Sequence, residues 1–280
     1  MALSLAAQRT RRVQLYPATT SPIVRHPLVL ASLAHSLDEI APRRISLIVA
    51  PGFLSVRSVG KPLAGVAAMR EAVVALRTLL AGQSATYEST EIRMRNVTET
   101  PTPVYLLAAG PRMVELAGEV ADGALLFVGL HPEAIASARR HLEVGARRAN
   151  RSLQAFKTIF AVSIALDDTV TAAQRWIQSW FAPGQPWLCY PSVSNLHWLR
   201  TGGFGFGFDL PDPLQPEAIG ADQAARIADA FGLFGPPERC VERLLQAQET
   251  SAVEHVFLFP AHTLEGGYEL RSETSRHSAV

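Results

Sequence analysis

Three small residues and a proline, Ala108-Ala109-Gly110-Pro111, follow the apolar run 103–109 and precede an amphipathic segment. This order predicts a strand, a short turn and a helix that begins at the proline. Small residues at a strand end let a phosphate approach the backbone, and the first helical turn offers unpaired N–H groups and a positive dipole end. The string therefore predicts a phosphate-binding turn, although small residues also suit a β-to-α turn with a purely structural role.

Two ionisable residues occupy positions that invite a catalytic interpretation. His26 precedes Pro27, and histidine is the commonest side chain in proton transfer, but a helix that starts at the proline explains the pair structurally. Asp122 precedes Gly123 at the start of the apolar run 123–129, where a carboxylate can orient backbone. We expect both residues to be structural, so the catalytic residues stay unknown.

The remaining candidate motifs point away from metal, disulfide and dinucleotide chemistry. Cys189 and Cys240 fit neither a disulfide framework nor a paired zinc spacing, and we expect two ordinary buried thiols. Five histidines are scattered over separate elements, so no metal site is expected: His131, His141, His197, His255 and His262. The glycine–phenylalanine alternation in 203–208 is followed by Asp209-Leu210-Pro211 rather than a helix, so it does not match a dinucleotide fingerprint.

Short apolar runs alternate with helical segments, which predicts an α/β fold with a parallel sheet. Six strands are expected, at 12–19, 44–50, 103–109, 123–129, 156–165 and 254–260. Helices are expected over Pro27–Ile40, 64–80 and 111–121, and from Gly235-Pro236-Pro237-Glu238 to about residue 249. The segment 181–216 interrupts this alternation with prolines, glycines and aromatics, so it predicts an insertion that serves as a lid or an interface.

Composition narrows the class of protein further. The chain has 280 residues, of which 48% are hydrophobic and 18% charged, with a net charge of +1. We expect one folded domain over 1–271 and a flexible tail over 272–280. The charge offers no footprint for nucleic acid, and no apolar run is long enough to cross a membrane. A cytoplasmic protein with a small-molecule substrate is expected, with no nucleic-acid or membrane partner.

Several strings together resemble the luciferase-like monooxygenase superfamily, in particular its branch related to methylene-tetrahydromethanopterin reductases and other deazaflavin enzymes. They are Thr20-Ser21-Pro22 with Arg25-His26-Pro27, Pro103-Val104-Tyr105 leading to Ala108-Ala109-Gly110-Pro111, 116–123, and Gly235-Pro236-Pro237-Glu238 before His255-Val256-Phe257-Leu258. The resemblance covers about residues 5 to 260 and keeps the family's order.

The resemblance implies a TIM-barrel-type fold with an insertion before the last strand, a homodimer, and FMN or the deazaflavin coenzyme F420 as cofactor. If Val13–Thr19 corresponds to the family's third strand, about six of eight strands are expected, with the barrel incomplete at its amino terminus. It implies a flavin- or deazaflavin-dependent oxidoreductase or monooxygenase that acts on an unidentified small organic substrate. The alternative is a truncated, non-catalytic flavin-binding or dimerisation protein of the same superfamily.

The resemblance also implies which residues hold the cofactor. The phosphate would lie on the turn after 103–109 and on the turn after 123–129, and the ring would lie against a strained, sometimes cis, peptide bulge near residue 18. The implied cofactor-binding residues are Ala18, Thr19, Ala108, Ala109, Gly110, Val128 and Gly129. Two departures weaken the case for catalysis: Phe53 stands where many relatives have an acid, and Leu130 where some deazaflavin enzymes carry a cation.

Overall fold

Strands and helices alternate along the part of the chain that the computed structural model describes, residues 2–52, 54–173 and 221–260. The strands are β1 (Leu47–Val49), β2 (Ala85–Tyr87), β3 (Thr90–Ile92), β4 (Val104–Ala108), β5 (Gly123–Leu126), β6 (Lys157–Leu166), β7 (Gly232–Gly235) and β8 (Val256–Pro260). The helices are α1 (Ala2–Arg9), α2 (Pro27–Ile40), α3 (Leu54–Arg57), α4 (Val66–Leu80), α5 (Pro111–Val120), α6 (Pro132–Arg148), α7 (Ala221–Phe231) and α8 (Pro237–Ser251). The predicted lid 181–216 and tail 272–280 lie outside the described residues.

The described residues divide into two units. The first combines the residues up to Leu126 with Ala138–Ile159, and the second combines Phe127–Ser137 with the described residues from Phe160 onward. In the first unit β4 pairs in parallel with β1 and with β5, and in the second β6 pairs in parallel with β7 and with β8. Parallel strands that alternate with helices are the predicted α/β pattern, while a single domain over 1–271 stays a prediction.

The expected strand 12–19 is wrong, because this segment and the residue after it form two isolated bridges with β1 and its flank rather than a continuous ladder. Leu15 forms a parallel bridge with Ile45, and Thr20 forms one with Val49. Leu15 N–H donates to Arg44 O at 2.7 Å, and Ser46 N–H donates to Leu15 O at 3.0 Å. A continued parallel ladder would next need an N–H at residue 17, and Pro17 has none. Pro17 therefore prevents residues 12–19 from forming a continuous strand beside β1.

Two strand regions and four helices were missed. β7 spans only the four residues Gly232–Gly235. Because glycine weakens a strand and stands at both of its ends, no strand was expected there. β2 and β3 form an antiparallel hairpin whose turn places Glu88 and Ser89 at φ 47° and 64°. Hairpin turns with two positive φ values usually carry Asn-Gly or Asp-Gly, so Glu-Ser is not a recognisable turn signal. Helices α1, α3, α6 and α7 lie in segments for which no element was specified.

Proline marks the start of the three helices for which it was predicted to do so, and of α6 as well. Pro27, Pro111 and Pro237 each occupy the first turn of α2, α5 and α8. At α2 the ring of His26 supplies the cap, because its Nδ1 accepts a hydrogen bond from Leu28 N–H at 3.1 Å. This contact confirms the structural interpretation of His26.

The side chain of Asp122 ties α4 to the beginning of β4. One carboxylate oxygen, Oδ1, accepts from Arg77 Nε at 2.9 Å, and the other, Oδ2, accepts from Val104 N–H at 3.0 Å. The backbone N–H of Asp122 donates to Val104 O at 2.8 Å, and its carbonyl accepts from Lys157 N–H at 3.3 Å. Asp122 is thus a structural residue that orients backbone, as expected.

Helices α5 and α6 approach each other backbone to backbone through two glycines. A Cβ on Gly118 would lie 2.1 Å from Leu142 O, and a Cβ on Gly145 would lie 1.8 Å from Glu115 O. Both distances are far below van der Waals contact, so neither position accepts even a methyl group without moving a helix.

Membrane spans and metal clusters are both absent from the part of the chain that the structure describes. No helix in this part of the chain has both the length and the hydrophobicity that a membrane span requires. No three His, Cys, Asp or Glu side chains of these residues cluster as metal ligands would. Cys240 is 3% exposed, in agreement with the expectation of a buried thiol, and burial raises its pKa. Cys189 lies outside the described residues.

We expect Gly145→Ala to destabilise the protein although alanine normally stabilises a helix interior by about 1 kcal/mol relative to glycine. The added methyl group overlaps Glu115 O and must push α5 from α6, at a cost of about 1–3 kcal/mol. Urea denaturation of the two proteins measures the difference. Glu143→Ala, at an exposed position of the same helix, is the control for helix propensity. Equal stability of Gly145→Ala and the parent would contradict the close helix contact.

Candidate functional site

The segment before Thr20 bulges beside the carboxyl end of β1. Its two bridges lie five residues apart, Leu15 to Thr20, whereas their partners lie four apart, Ile45 to Val49. One extra residue must therefore be accommodated, which is the definition of a β-bulge. Thr20 N–H donates to Ile48 O at 3.2 Å and Thr20 O accepts from Ala50 N–H at 2.8 Å, so the bulge is anchored at its carboxyl end.

Ala18 and Thr19 lie at this bulge, and both are exposed in the described structure. The peptide bond between them is cis. The resemblance implied a bulge at this place that is sometimes cis, and both features are present. Whether a cofactor ring lies against it stays a prediction.

The turn from β4 to α5 contains Ala108, Ala109 and Gly110. Ala108 is fully buried and pairs with Leu126 of β5, while Gly110 occupies the N-cap position with φ −97° and ψ 159°. These are extended angles that any residue adopts, so Gly110 is not required for its backbone conformation. What the glycine provides is the absence of a side chain in front of the helix.

The amino end of α5 is chemically suited to an anion. Met113 N–H and Val114 N–H both donate to Gly110 O, at 3.1 and 3.0 Å. Pro111 has no N–H, and the N–H of Arg112 has no acceptor among the residues that the structure describes. No side chain caps the helix and no acidic residue lies in its first turn. The helix dipole is thus uncompensated there, and the exposed Arg112 adds a positive charge.

The first unit brings five of the seven predicted residues to one edge of its sheet. β1 and β4 are parallel neighbours, with Val49 opposite Leu106, so their carboxyl ends point the same way. The bulge at Ala18 and Thr19 lies beside the end of β1, and the turn 108–110 follows the end of β4. This edge is where ligands bind in parallel α/β sheets.

Val128 and Gly129 belong to the second unit, where they follow β5 along the chain. Gly129 has φ +73°, and a Cβ there would lie 2.5 Å from Ala230 O. The next residue, Leu130, donates its N–H to the same carbonyl at 3.2 Å. Gly129 is therefore needed for close packing against Ala230 and Phe231, which precede β7. Its role in phosphate binding stays a prediction.

Of the two departures from the family pattern, Leu130 and Phe53, only Leu130 lies among the described residues. Leu130 is buried, at 6% exposure, and presents no cation. Phe53 lies outside the described residues. His131 follows Leu130 directly, and burial lowers its pKa, which favours the neutral ring.

Two residues at the other end of the first unit's strands, which stabilise the unit rather than the candidate site, were not predicted. Arg77 pairs with Asp122, and Arg151 donates to Ala121 O at 2.8 Å at the end of α5. Both arginines lie at helix or loop positions where a cation normally faces solvent, so no sequence signal distinguished them.

Comparison with known proteins gives a consistent result. The family profile described as luciferase-like monooxygenase matches residues 1–254. A 5,10-methylenetetrahydromethanopterin reductase of Archaeoglobus fulgidus is 25% identical over 270 residues, which are 91% of this chain and 79% of the relative. An F420-dependent glucose-6-phosphate dehydrogenase of Beutenbergia cavernae is 30% identical over 274 residues, 92% of this chain and 76% of the relative.

A solved structure has a similar fold. The coenzyme F420 dependent tetrahydromethanopterin reductase of Methanopyrus kandleri superposes with a TM-score of 0.64 at 23% identity, covering 91% of this chain and 80% of that one. This likeness confirms the predicted fold class, the TIM-barrel type in which parallel strands alternate with helices.

We expect Gly129→Ala to destabilise the protein by at least about 2 kcal/mol, from the positive φ and from overlap with Ala230 O. Gly60→Ala is the matched control, because Gly60 has φ +70° but no atom within 4 Å of the place that a Cβ would occupy. The control should lose only about 1 kcal/mol, the cost of the backbone conformation alone. Thermal denaturation measures both, and equal losses would show that the overlap is absent.

Proposed function

The chain belongs to the luciferase-like monooxygenase family, and we propose that it is an oxidoreductase that uses a flavin or deazaflavin cofactor, FMN or coenzyme F420. Relatives named as an F420-dependent dehydrogenase and a methylenetetrahydromethanopterin reductase support this cofactor class. The proposed reaction is hydride transfer or oxygen activation on an unidentified small organic substrate.

The uncompensated amino end of α5 is the observation that carries the proposal. The N–H of Arg112 has no acceptor among the described residues, and Gly110 places no side chain in front of the helix. The first turn of α5 also carries no carboxylate. A phosphate needs N–H donors and positive potential, and this turn supplies both. The residues present therefore fit the phosphate group of either cofactor.

The bulge at Ala18 and Thr19 supports the placement of the ring. Both side chains are small and exposed, and they lie at the same sheet edge as the α5 turn. A planar ring can lie against a backbone segment only where no large side chain intervenes. In the proposal, Gly110 and Arg112 bind the phosphate and the bulge orients the ring.

The cofactor, when bound, supplies the hydride or oxygen chemistry, while the protein supplies binding and orientation. His26 is occupied as the cap of α2 through its Nδ1, and no residue beside the two strand ends is assigned to proton transfer. The expected contribution of Val128 and Gly129 remains part of the same proposal, without a described geometry.

The buried Leu130, at a position where some deazaflavin enzymes carry a cation, favours a second candidate, a flavin-binding protein without turnover. Both candidates require the α5 turn to bind the cofactor, so binding alone does not separate them. Turnover does: the enzyme should change the absorbance of bound F420 or FMN when a substrate is added, and the binding protein should not. Suitable substrates to test are a secondary alcohol, glucose 6-phosphate and a methylene-tetrahydropterin.

A homodimer in the cytoplasm is also proposed. Its support is that α2 exposes the apolar side chains of Val29 and Leu33, which are 50% and 51% exposed in the single chain. Light scattering after size-exclusion chromatography measures the mass directly, and a monomer at micromolar concentration would contradict the dimer.

We expect Gly110→Asp to weaken binding of FMN and F420 by about a hundredfold. The carboxylate would occupy the place of the phosphate and compete for the same N–H groups, and each lost hydrogen bond to a charged group costs about 1.5–3 kcal/mol. The fold should survive, because aspartate is a preferred N-cap residue. Titration calorimetry measures the affinity, and the melting temperature checks the fold.

Gly110→Asn is the matched control for this substitution. It has the same shape and also caps the helix, but it carries no charge. We expect it to weaken binding less than Gly110→Asp, with the difference reporting the charge repulsion. Unchanged cofactor affinity in Gly110→Asp would remove the α5 turn from the proposed site.

A further inference from the structure

A cavity lies at the opposite end of the first unit's strands. It has a volume of about 400 Å³ and lies where the chain enters β4, β5 and β6, as its lining residues Pro103, Asp122 and Phe156 precede these strands. The proposed cofactor site of the first unit, formed by the bulge beside the end of β1 and the turn after β4, lies at the carboxyl ends instead. The two places are therefore separated by the length of the sheet.

The ionisable groups that line this cavity leave a net positive charge. They are Arg77, Arg151 and Asp122, two cations against one carboxylate. Asp122 is paired with Arg77, at 2.8 Å from Nη2, while Arg151 donates to Gly118 O and Ala121 O and has no carboxylate partner among the described residues. Burial, and then the charge of the nearby Arg77, lower the pKa of Arg151. A second anion would relieve this repulsion.

Thr102 supplies an independent indication of a ligand. Thr102 lines the cavity and is only 3% exposed. Its hydroxyl oxygen, Oγ1, has no hydrogen-bond partner among the described residues. A buried hydroxyl without a partner costs about 1–3 kcal/mol, and native proteins rarely tolerate one. A ligand oxygen at this point would accept from the hydroxyl.

The remaining wall is mostly apolar, with Ser152 as its one further polar residue. The ring of Phe156 and the side chains of Pro101, Pro103 and Ala155 complete the cavity. A ligand that fits must combine one anionic group with a small apolar body, as an aromatic or short aliphatic carboxylate does.

We propose that this cavity binds a small organic carboxylate, whose anionic group lies between the guanidinium groups of Arg77 and Arg151 within reach of the Thr102 hydroxyl. Each guanidinium has N–H groups beyond those used in its protein contacts, because arginine carries five donors. The ligand would fix α4, the loop after α6 and the amino ends of the strands together.

Titration calorimetry of the full chain with benzoate tests the proposal, with benzyl alcohol as the neutral probe of similar shape and inorganic phosphate as the anion without an apolar body. We expect saturable binding of benzoate, and weaker binding of both other probes. Thr102→Val should weaken benzoate binding by about tenfold or more, the effect of one charge-assisted hydrogen bond. Its melting temperature should not fall, because valine removes an unpaired hydroxyl and keeps the shape.

Three further variants make the outcome unambiguous. Arg151→Gln should also lose about tenfold or more in benzoate affinity, while Arg95→Gln, an exposed arginine outside the cavity, should lose nothing. Gly110→Asp should leave benzoate binding intact. Absence of saturable binding, unchanged affinity in Thr102→Val, equal affinity for benzyl alcohol, or loss of binding in Gly110→Asp would each overturn the proposal.

Discussion

The hydrogen bonds of Asp122 hold the register on which the first unit depends. Its carboxylate accepts from both Val104 N–H and Arg77, and its backbone bonds to Val104 and Lys157. A parallel strand that slips by one residue turns every side chain to the other face of the sheet. By fixing where β4 begins relative to β5, these bonds also fix where β4 ends, and hence where Ala108 and Gly110 lie.

Close approach of backbones is the second constraint. Gly118 and Gly145 let α5 and α6 touch, and Gly129 lets the turn after β5 lie against Ala230. In each case the glycine is needed for space, and at Gly129 for a positive φ as well. Gly110 differs, because its backbone accepts any residue and its value lies in leaving the amino end of α5 open.

Much of the fold could be predicted because its signals are local. The starts of α2, α5 and α8 follow from proline at the first turn, and the buried strands β4 and β5 follow from continuous apolar runs. The two strand predictions that failed did so for different reasons, one local and one dependent on a partner distant in sequence. Residues 12–19 are apolar enough for a strand, but Pro17 lacks the N–H that the next ladder bond would need, and β7 is recognisable only from its pairing with β6. The candidate site shows the same division: residue sizes identify the turn 108–110, whereas the bulge at Ala18 came from the resemblance alone, since no composition signals an extra residue between two bridges. Asp122 could be judged structural from its place before a strand, but its partner Arg77 could not, because 45 residues separate the two.

The bonds of Asp122 lie at the amino ends of the strands, whereas Ala18, Thr19 and Gly110 lie near the carboxyl ends. In the first unit, the part of the sheet that secures the register is therefore physically distinct from the part that presents its loops to a ligand. Sequence drift at the carboxyl ends can then alter the choice of substrate without loosening the strands. For a protein engineer who accepts the proposed site, the loop after β1 is the place to diversify, and Gly110, Arg77, Val104 and Asp122 are the places to leave alone.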